Sequence, residues 1–212
     1  MPMAVCYNRP MGFELYILDL IGTATFAFYG AYVGIGRKFD IFGIFTTAFL
    51  TAVGGSTIRE IILGHVPSYF SDMNYIIAIA VGMVFSIVLY QAFSKIHKYA
   101  LVVDAIGLVT FAFIGAEHAA TAGLGAFAII FLATLSAVGG GLLRDIAIAE
   151  TPQIFYKDFY ASPAIFLGVL FVTFEGSLNH GVVVAAIIAS AFILRLIAIY
   201  YKINLWGPWR NK

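Results

Sequence analysis

DLIGTATFAFYGA (Asp19–Ala31) recurs as DAIGLVTFAFIGA (Asp104–Ala116), and FLTAVGGSTIREI (Phe49–Ile61) recurs as TLSAVGGGLLRDI (Thr134–Ile146). Residues 19–70 and 104–155 align without a gap at a constant offset of 85, and 21 of the 52 positions are identical. Pro67 and Phe70 return as Pro152 and Phe155. Repetition this strong in an apolar chain marks a duplicated helical bundle, and transport sites commonly sit where two such copies meet.

The chain has 212 residues, of which 62% are hydrophobic and 11% charged. A soluble domain carries about 25% charged residues. So much apolar surface requires lipid, and lipid requires closed backbone hydrogen bonding, hence helices or barrels. The apolar runs are roughly twenty residues long, the length of a membrane-crossing helix. The net charge of +1 provides no basic field for nucleic acid. Cys6 is the only cysteine, which rules out an internal disulfide. The first apolar run carries Glu14 and Asp19 and belongs to the repeat, so it is read as a span and not as a cleavable signal.

Seven spans are expected, over 14–36, 41–63, 75–93, 100–120, 125–147, 162–178 and 182–201, the sixth of them short, with a connection over 94–99. The offset contains three spans. Three is odd, so the second copy enters the membrane from the opposite side. The fold class is therefore an all-α membrane protein of seven transmembrane helices, an inverted 3+3 repeat plus a seventh helix. The expected organisation is an N-terminal tail at 1–13, a first three-helix repeat at 14–96, a second, inverted one at 97–180, the seventh helix at 181–201 and a C-terminal tail at 202–212. Arg37, Lys38, Lys95, Lys98, Lys157, Lys202, Arg210 and Lys212 would share one side and Arg9 the other. The positive-inside rule then places the N-terminus outside and the C-terminus in the cytoplasm, with Trp206 and Trp209 anchoring the inner interface.

Gly54-Gly55 in the second span and Gly139-Gly140-Gly141 in the fifth occupy matched positions. Glycine is about 1 kcal/mol worse than alanine inside a helix. Two related clusters suggest bends whose freed carbonyls line an ion pathway; close packing through small residues is the alternative. Each cluster precedes an arginine–acid pair, Arg59-Glu60 and Arg144-Asp145. Adjacent helix positions point about 100° apart, so each arginine is expected to find its partner elsewhere. Asp19 for Arg59 and Asp104 for Arg144 are the symmetry-matched choices, and charge within a membrane is usually paired and functional. Snorkelling to the interfaces is the competing role for these charges, and the expected one for Glu175 and Arg195. Glu117 and His118 are expected to be solvated. His65, His97 and His180 fall in loops without metal-ligand spacing. Thr25 is expected to bond its own helix backbone. Gly30 and Gly34 form a weak helix-contact motif.

No enzyme constellation is present: the glycine triplet is followed by leucines and not by the Lys-Ser or Lys-Thr of a nucleotide loop, and no metal or cofactor motif appears.

The doubled A-V-G-G-x-x-x-R-[DE] motif within a duplicated three-helix unit resembles the prokaryotic branch of the trimeric intracellular cation (TRIC) channels and the glycine-rich duplicated membrane proteins. The resemblance covers about 14–201. It implies a homotrimer in the membrane of a prokaryotic cell, with one pore per protomer for monovalent cations. Potassium is the chief permeant ion and sodium a further one. It also implies second and fifth helices bent at Gly54, Gly55, Gly139, Gly140 and Gly141, with Arg59 and Arg144 near the pathway. Ser56 stands where the second copy has Gly141, so the two bends are not expected to be identical. A secondary transporter of a small solute such as an amino acid is the alternative, because inverted repeats with broken helices are the usual layout of such carriers.

Overall fold

The structure is a computed structural model that describes residues 12–95, 97–155, 159–178 and 180–203. The expectations for Cys6, Arg9, Lys157, Trp206, Trp209, Arg210 and Lys212 lie outside the described residues. Among the described residues there are seven α-helices: α1 (Phe13–Gly36), α2 (Ile41–Leu63), α3 (Met73–Lys95), α4 (His97–Thr121), α5 (Ala126–Ala147), α6 (Ser162–Thr173) and α7 (Gly181–Tyr201). Six are long and apolar enough to cross a membrane. The sixth has 12 residues and rises about 18 Å, well short of a hydrocarbon core of about 30 Å. Its expected span ends early because the chain turns into a 3-10 segment at Glu175–Ser177. The connection expected over 94–99 is largely helical, since α3 reaches Lys95 and α4 starts at His97.

The helix ends show how literally the repeat was copied. An α-helix that stops with a left-handed residue satisfies its last carbonyls through a six-residue backbone bond. At the end of α2 His65 N–H donates to the Glu60 carbonyl at 2.8 Å; at the end of α5 Glu150 N–H donates to that of Asp145 at 2.8 Å. The left-handed residues are Gly64 (φ 75°) and its equivalent Ala149 (φ 56°). At the ends of α1 and α4 the same bond runs from Phe39 to Gly34 at 3.2 Å and from Leu124 to Ala119 at 3.1 Å, with Lys38 (φ 59°) matching Gly123 (φ 71°). Matched 3-10 turns follow α2 and α5, at Ser68–Phe70 and Gln153–Phe155.

Within each copy the first helix packs on the other two: α1 on α2 and α3, α4 on α5 and α6. Across copies, α1 meets α4 and α2 meets α5. These contacts are reciprocal, the signature of a twofold relation. Phe26 and its equivalent Phe111 stack on each other with ring centroids 5.1 Å apart. The end of the bundle where α1 begins is called proximal here, and the opposite end distal. Helix α7 lies outside the symmetry and packs on α4 and α6. The buried interior is rich in small residues such as Ala27, Ala31, Ala48, Ala52, Ala133 and Ala137, whereas Ile77, Val84, Phe85 and Val88 of α3 are exposed. Large apolar residues outside and small ones inside suit a bundle solvated by lipid tails, where helix association depends on close packing. At the proximal end, Tyr16 donates its hydroxyl to Asp72 Oδ2 at 2.7 Å and ties the start of α1 to the turn before α3. That hydrogen bond holds the Asp72 carboxyl below its ordinary range.

The tightest cross-copy contact sets glycines of one helix against the backbone of the other. A Cβ on Gly55 would fall on the Ser136 carbonyl oxygen, and one on Gly140 on that of Thr51, its repeat counterpart. A Cβ on Gly54 would lie 3.0 Å from Gly140 Cα, and one on Gly139 3.1 Å from Gly55 Cα. Helices α2 and α5 run unbroken through these positions. In this structure the glycines let two backbones cross in contact. Gly30 and Gly34 do the same for α1 against α2, where a Cβ would strike Thr47.

Two stability predictions follow from this geometry. Gly55→Ala and Gly140→Ala should lower the melting temperature of the purified protein although alanine favours helix by about 1 kcal/mol, because the added carbon meets backbone, which cannot yield as a side-chain tip can. Gly36→Ala, whose new carbon would meet only the Tyr90 hydroxyl at 3.5 Å, should not. Ala149→Gly should raise stability by about 1 kcal/mol through relief of a left-handed alanine, measured as a higher melting temperature; no rise would show that the turn carries no strain.

Candidate functional site

Seven of the described acids and arginines of the spans collect into two clusters at opposite ends of the α2–α5 crossing. Asp19, Arg59, Glu60, Asp104, Arg144, Asp145 and Arg195 are each 4% exposed or less. None of them snorkels. The sequence-based expectation for Arg195 is thereby corrected: it is packed inside, at the junction of α7 with the bundle.

In the proximal cluster Arg59 pairs with its own neighbour. Its Nε donates to Glu60 Oε1 at 2.8 Å, and its Nη2 lies 2.7 Å from the same oxygen. Glu60 also meets His118 Nδ1 from α4 at 3.1 Å through Oε1, and His65 Nδ1 at 3.2 Å through Oε2. Asp19 takes no part in an ion pair with Arg59; its Oδ2 accepts the Tyr75 hydroxyl at 2.8 Å. The distal cluster repeats the pattern. Arg144 Nε and Nη2 donate to Asp145 Oδ1 at 2.9 and 2.7 Å. Asp145 Oδ2 accepts the backbone N–H of Gln153 at 2.9 Å. Asp104 accepts the hydroxyl of Tyr160, the repeat counterpart of Tyr75, at 3.2 Å. The expected Asp19–Arg59 and Asp104–Arg144 pairs are thus replaced by Arg59–Glu60 and Arg144–Asp145. The 100° spacing of adjacent helix positions fixes only where Cβ points. A long arginine arm folds back along the helix and brings its guanidinium onto the carboxylate beside it.

The symmetry breaks in two places. Arg195 brings its Nη2 within 3.8 Å of Asp104 Oδ2 and lies over the Tyr160 ring at 4.7 Å. The distal cluster therefore holds two arginines against two acids. In the proximal cluster His118 stands where the second copy's partner is Val33, and His65 where it is Glu150. His118 is half-buried and bonded to Glu60, contrary to the expectation that it is solvated. Across the distal surface Arg37 forms an ion pair with Glu150, joining the α1–α2 connection to the end of α5. Thr25 bonds the Gly22 carbonyl at 2.9 Å, as expected of a helix threonine.

Gly141 lies on the side of α5 away from the crossing, where a Cβ would sit 3.3 Å from the Tyr160 hydroxyl. It helps to wall a recess with Arg144, Asp145, Gln153 and Tyr160 that is too narrow to admit a water molecule. Arg144 also lies over the Tyr29 ring at 5.2 Å. Tyr75 and Tyr160 were missed at the sequence level although they keep the offset of 85; they lie just beyond the aligned block. Nothing in the spacing of Arg195 or His118 could have revealed them, because their partners are set by packing between distant helices.

Comparison with known proteins gives one consistent result. The family model described as Glycine transporter matches the chain twice, over residues 16–91 and 101–176. The inner membrane protein YadS of Escherichia coli K12, a UPF0126 protein, is 32% identical over 197 residues, 90% of this chain and 94% of that one. A UPF0126 membrane protein of Deinococcus radiodurans is 35% identical over 153 residues, 71% of each chain. Among solved structures, one described as giving the structural basis for conductance through TRIC cation channels superposes with a TM-score of 0.82 at 29% identity, covering 93% of this chain and 97% of that one. The TRIC orthologue of Rhodobacter sphaeroides gives 0.81 at 28% identity, covering 90% and 99%. The chain is an integral membrane protein that belongs to the duplicated Glycine transporter (UPF0126) family and has the fold of the prokaryotic TRIC channels.

Proposed function

We propose that the protein is a potassium-permeable channel for monovalent cations, working as a homotrimer with one pore in each protomer. The observation that carries this reading is the near-complete superposition on a structure described as giving the basis for conductance through TRIC cation channels, at 29% identity over 93% of the chain. The buried charges agree with it: four acids face three arginines, so the protein offers an excess of one negative charge to a cation. The pathway runs along α2 and α5, between the proximal and distal clusters. Gly54, Gly55, Gly139, Gly140 and Gly141 leave backbone without side-chain cover there, and carbonyl dipoles can replace part of an ion's hydration shell. The crossing of the two helices seals the path in the conformation described here, and opening bends or separates them at the glycines. An orientation with the distal end in the cytoplasm and the N-terminus outside a prokaryotic cell membrane is supported by Arg37, Lys38, Lys98 and Lys202 at the distal end. The assembly of this chain as a trimer is supported by the Rhodobacter sphaeroides orthologue, described as a trimeric intracellular cation channel.

A second reading is favoured by the family description itself: a carrier for a small amino acid such as glycine. It uses the same inverted repeat and the same charged clusters.

The two readings part in planar bilayers under a potassium chloride gradient. A channel of the proposed kind gives discrete openings that reverse near the potassium equilibrium potential. Saturable glycine uptake into proteoliposomes, with no unitary current, would replace the channel with the carrier.

A further inference from the structure

We propose that the proximal cluster contains a binding site for one monovalent cation on the Asp19 carboxylate, and that its distal counterpart contains none. The proposal rests on the channel reading for its meaning, though not for its measurement. Asp19 and Asp104 are equivalent, equally buried and each bonded to an equivalent tyrosine. They differ in what balances them. Asp104 has Arg195 at 3.8 Å, supplied by α7, which belongs to neither copy. Among the described residues no helix beyond α7 is present to supply such a partner to the proximal half. Arg59 commits Nε and Nη2 to Glu60 and leaves Nη1 without a hydrogen-bond partner; Asp19 Oδ1 and Asp104 Oδ2 are both buried without one, so the difference between the two acids is the ion pair with Arg195. The charged or titratable groups that act on Asp19 are Arg59, His118, Glu60 and Tyr75. The histidines apart, the cluster holds two acids against one arginine.

An unbalanced buried carboxylate is expensive unless a cation joins it. A single positive charge brings the cluster to neutrality, as Arg195 does at the distal end; a divalent ion would overshoot. The free donor is a hard carboxylate oxygen, suited to a hard cation and not to a soft, thiolate-seeking metal ion. Arg59 nearby keeps the site weak, and a transit site must release what it binds. Duplication thus built two equal acid sites, and α7 filled one with a permanent guanidinium while the other stayed open to the mobile ion.

The test measures the melting temperature of the purified protein against potassium concentration, at pH 7.5 and constant ionic strength, with N-methyl-D-glucamine as the replacing cation. The wild type should be stabilised saturably by potassium. Asp104→Asn should keep that response and Asp19→Asn should lose it. A potassium response that survives in Asp19→Asn overturns the site. So does a wild type indifferent to potassium, the outcome expected if a proton occupies Asp19. If Asp19→Asn does not fold, Asp19→Glu carries the test: displacing the carboxylate should shift the potassium midpoint several-fold, and an unshifted midpoint overturns the site. No current is needed for these readings. A potassium-stabilised protein that conducts nothing would keep the site and remove the channel, and a conducting protein without the potassium response would do the reverse.

Discussion

The fold depends on a contact between two backbones. Where α2 crosses α5, Gly55 lies against the Ser136 carbonyl and Gly140 against that of Thr51. Lipid tails give no hydrophobic drive to helix association, so the bundle needs van der Waals contact and hydrogen bonds instead. Any side chain at these positions would hold the helices apart, and the other reciprocal contacts would open with them, including the stacked pair Phe26 and Phe111. The glycines are poor helix residues, but the surrounding backbone ladder continues through them, and what they give up in propensity is offset by the proximity they allow.

The charges follow from the same crossing. Arg59-Glu60 and Arg144-Asp145 lie about one turn beyond the glycines on each helix, so inversion sends one pair to each end of the bundle. Each pair closes on itself and leaves Asp19 and Asp104 to tyrosines from α3 and from the segment before α6. From that symmetric ground plan the two ends diverge. One end is neutralised by Arg195; the other is trimmed with two histidines around Glu60. In the proposed channel the two mouths therefore present different charge to the same ion.

Much of the fold is legible in the sequence because duplication writes each structural demand twice. The six long helices fall within a few residues of the apolar runs, and their inversion follows from an odd number of spans per copy. The short sixth helix is less legible: hydropathy continues through Phe174, where the helix has already stopped. The site is legible in its members and not in its pairings. All six charged residues singled out are buried and clustered, but which carboxylate takes which guanidinium depends on side-chain reach, which spacing along a helix does not encode. Arg195 was misread because, near a helix end, an arginine that escapes to water and one folded into a neighbour have the same sequence context.

The central claim is that the ion path follows α2 and α5, and the residue that follows the glycine pair of α2 tests it most directly. Ser56 takes the place of Gly141 in the first copy and bonds the Val53 carbonyl at 2.9 Å. In a Cys6→Ser background, single-channel current through Ser56→Cys would be recorded before and after a cationic methanethiosulfonate reagent. The account predicts that modification blocks or sharply lowers the unitary current, with the Cys6→Ser parent unaffected. Full modification, confirmed by intact mass, with an unchanged unitary current would contradict it.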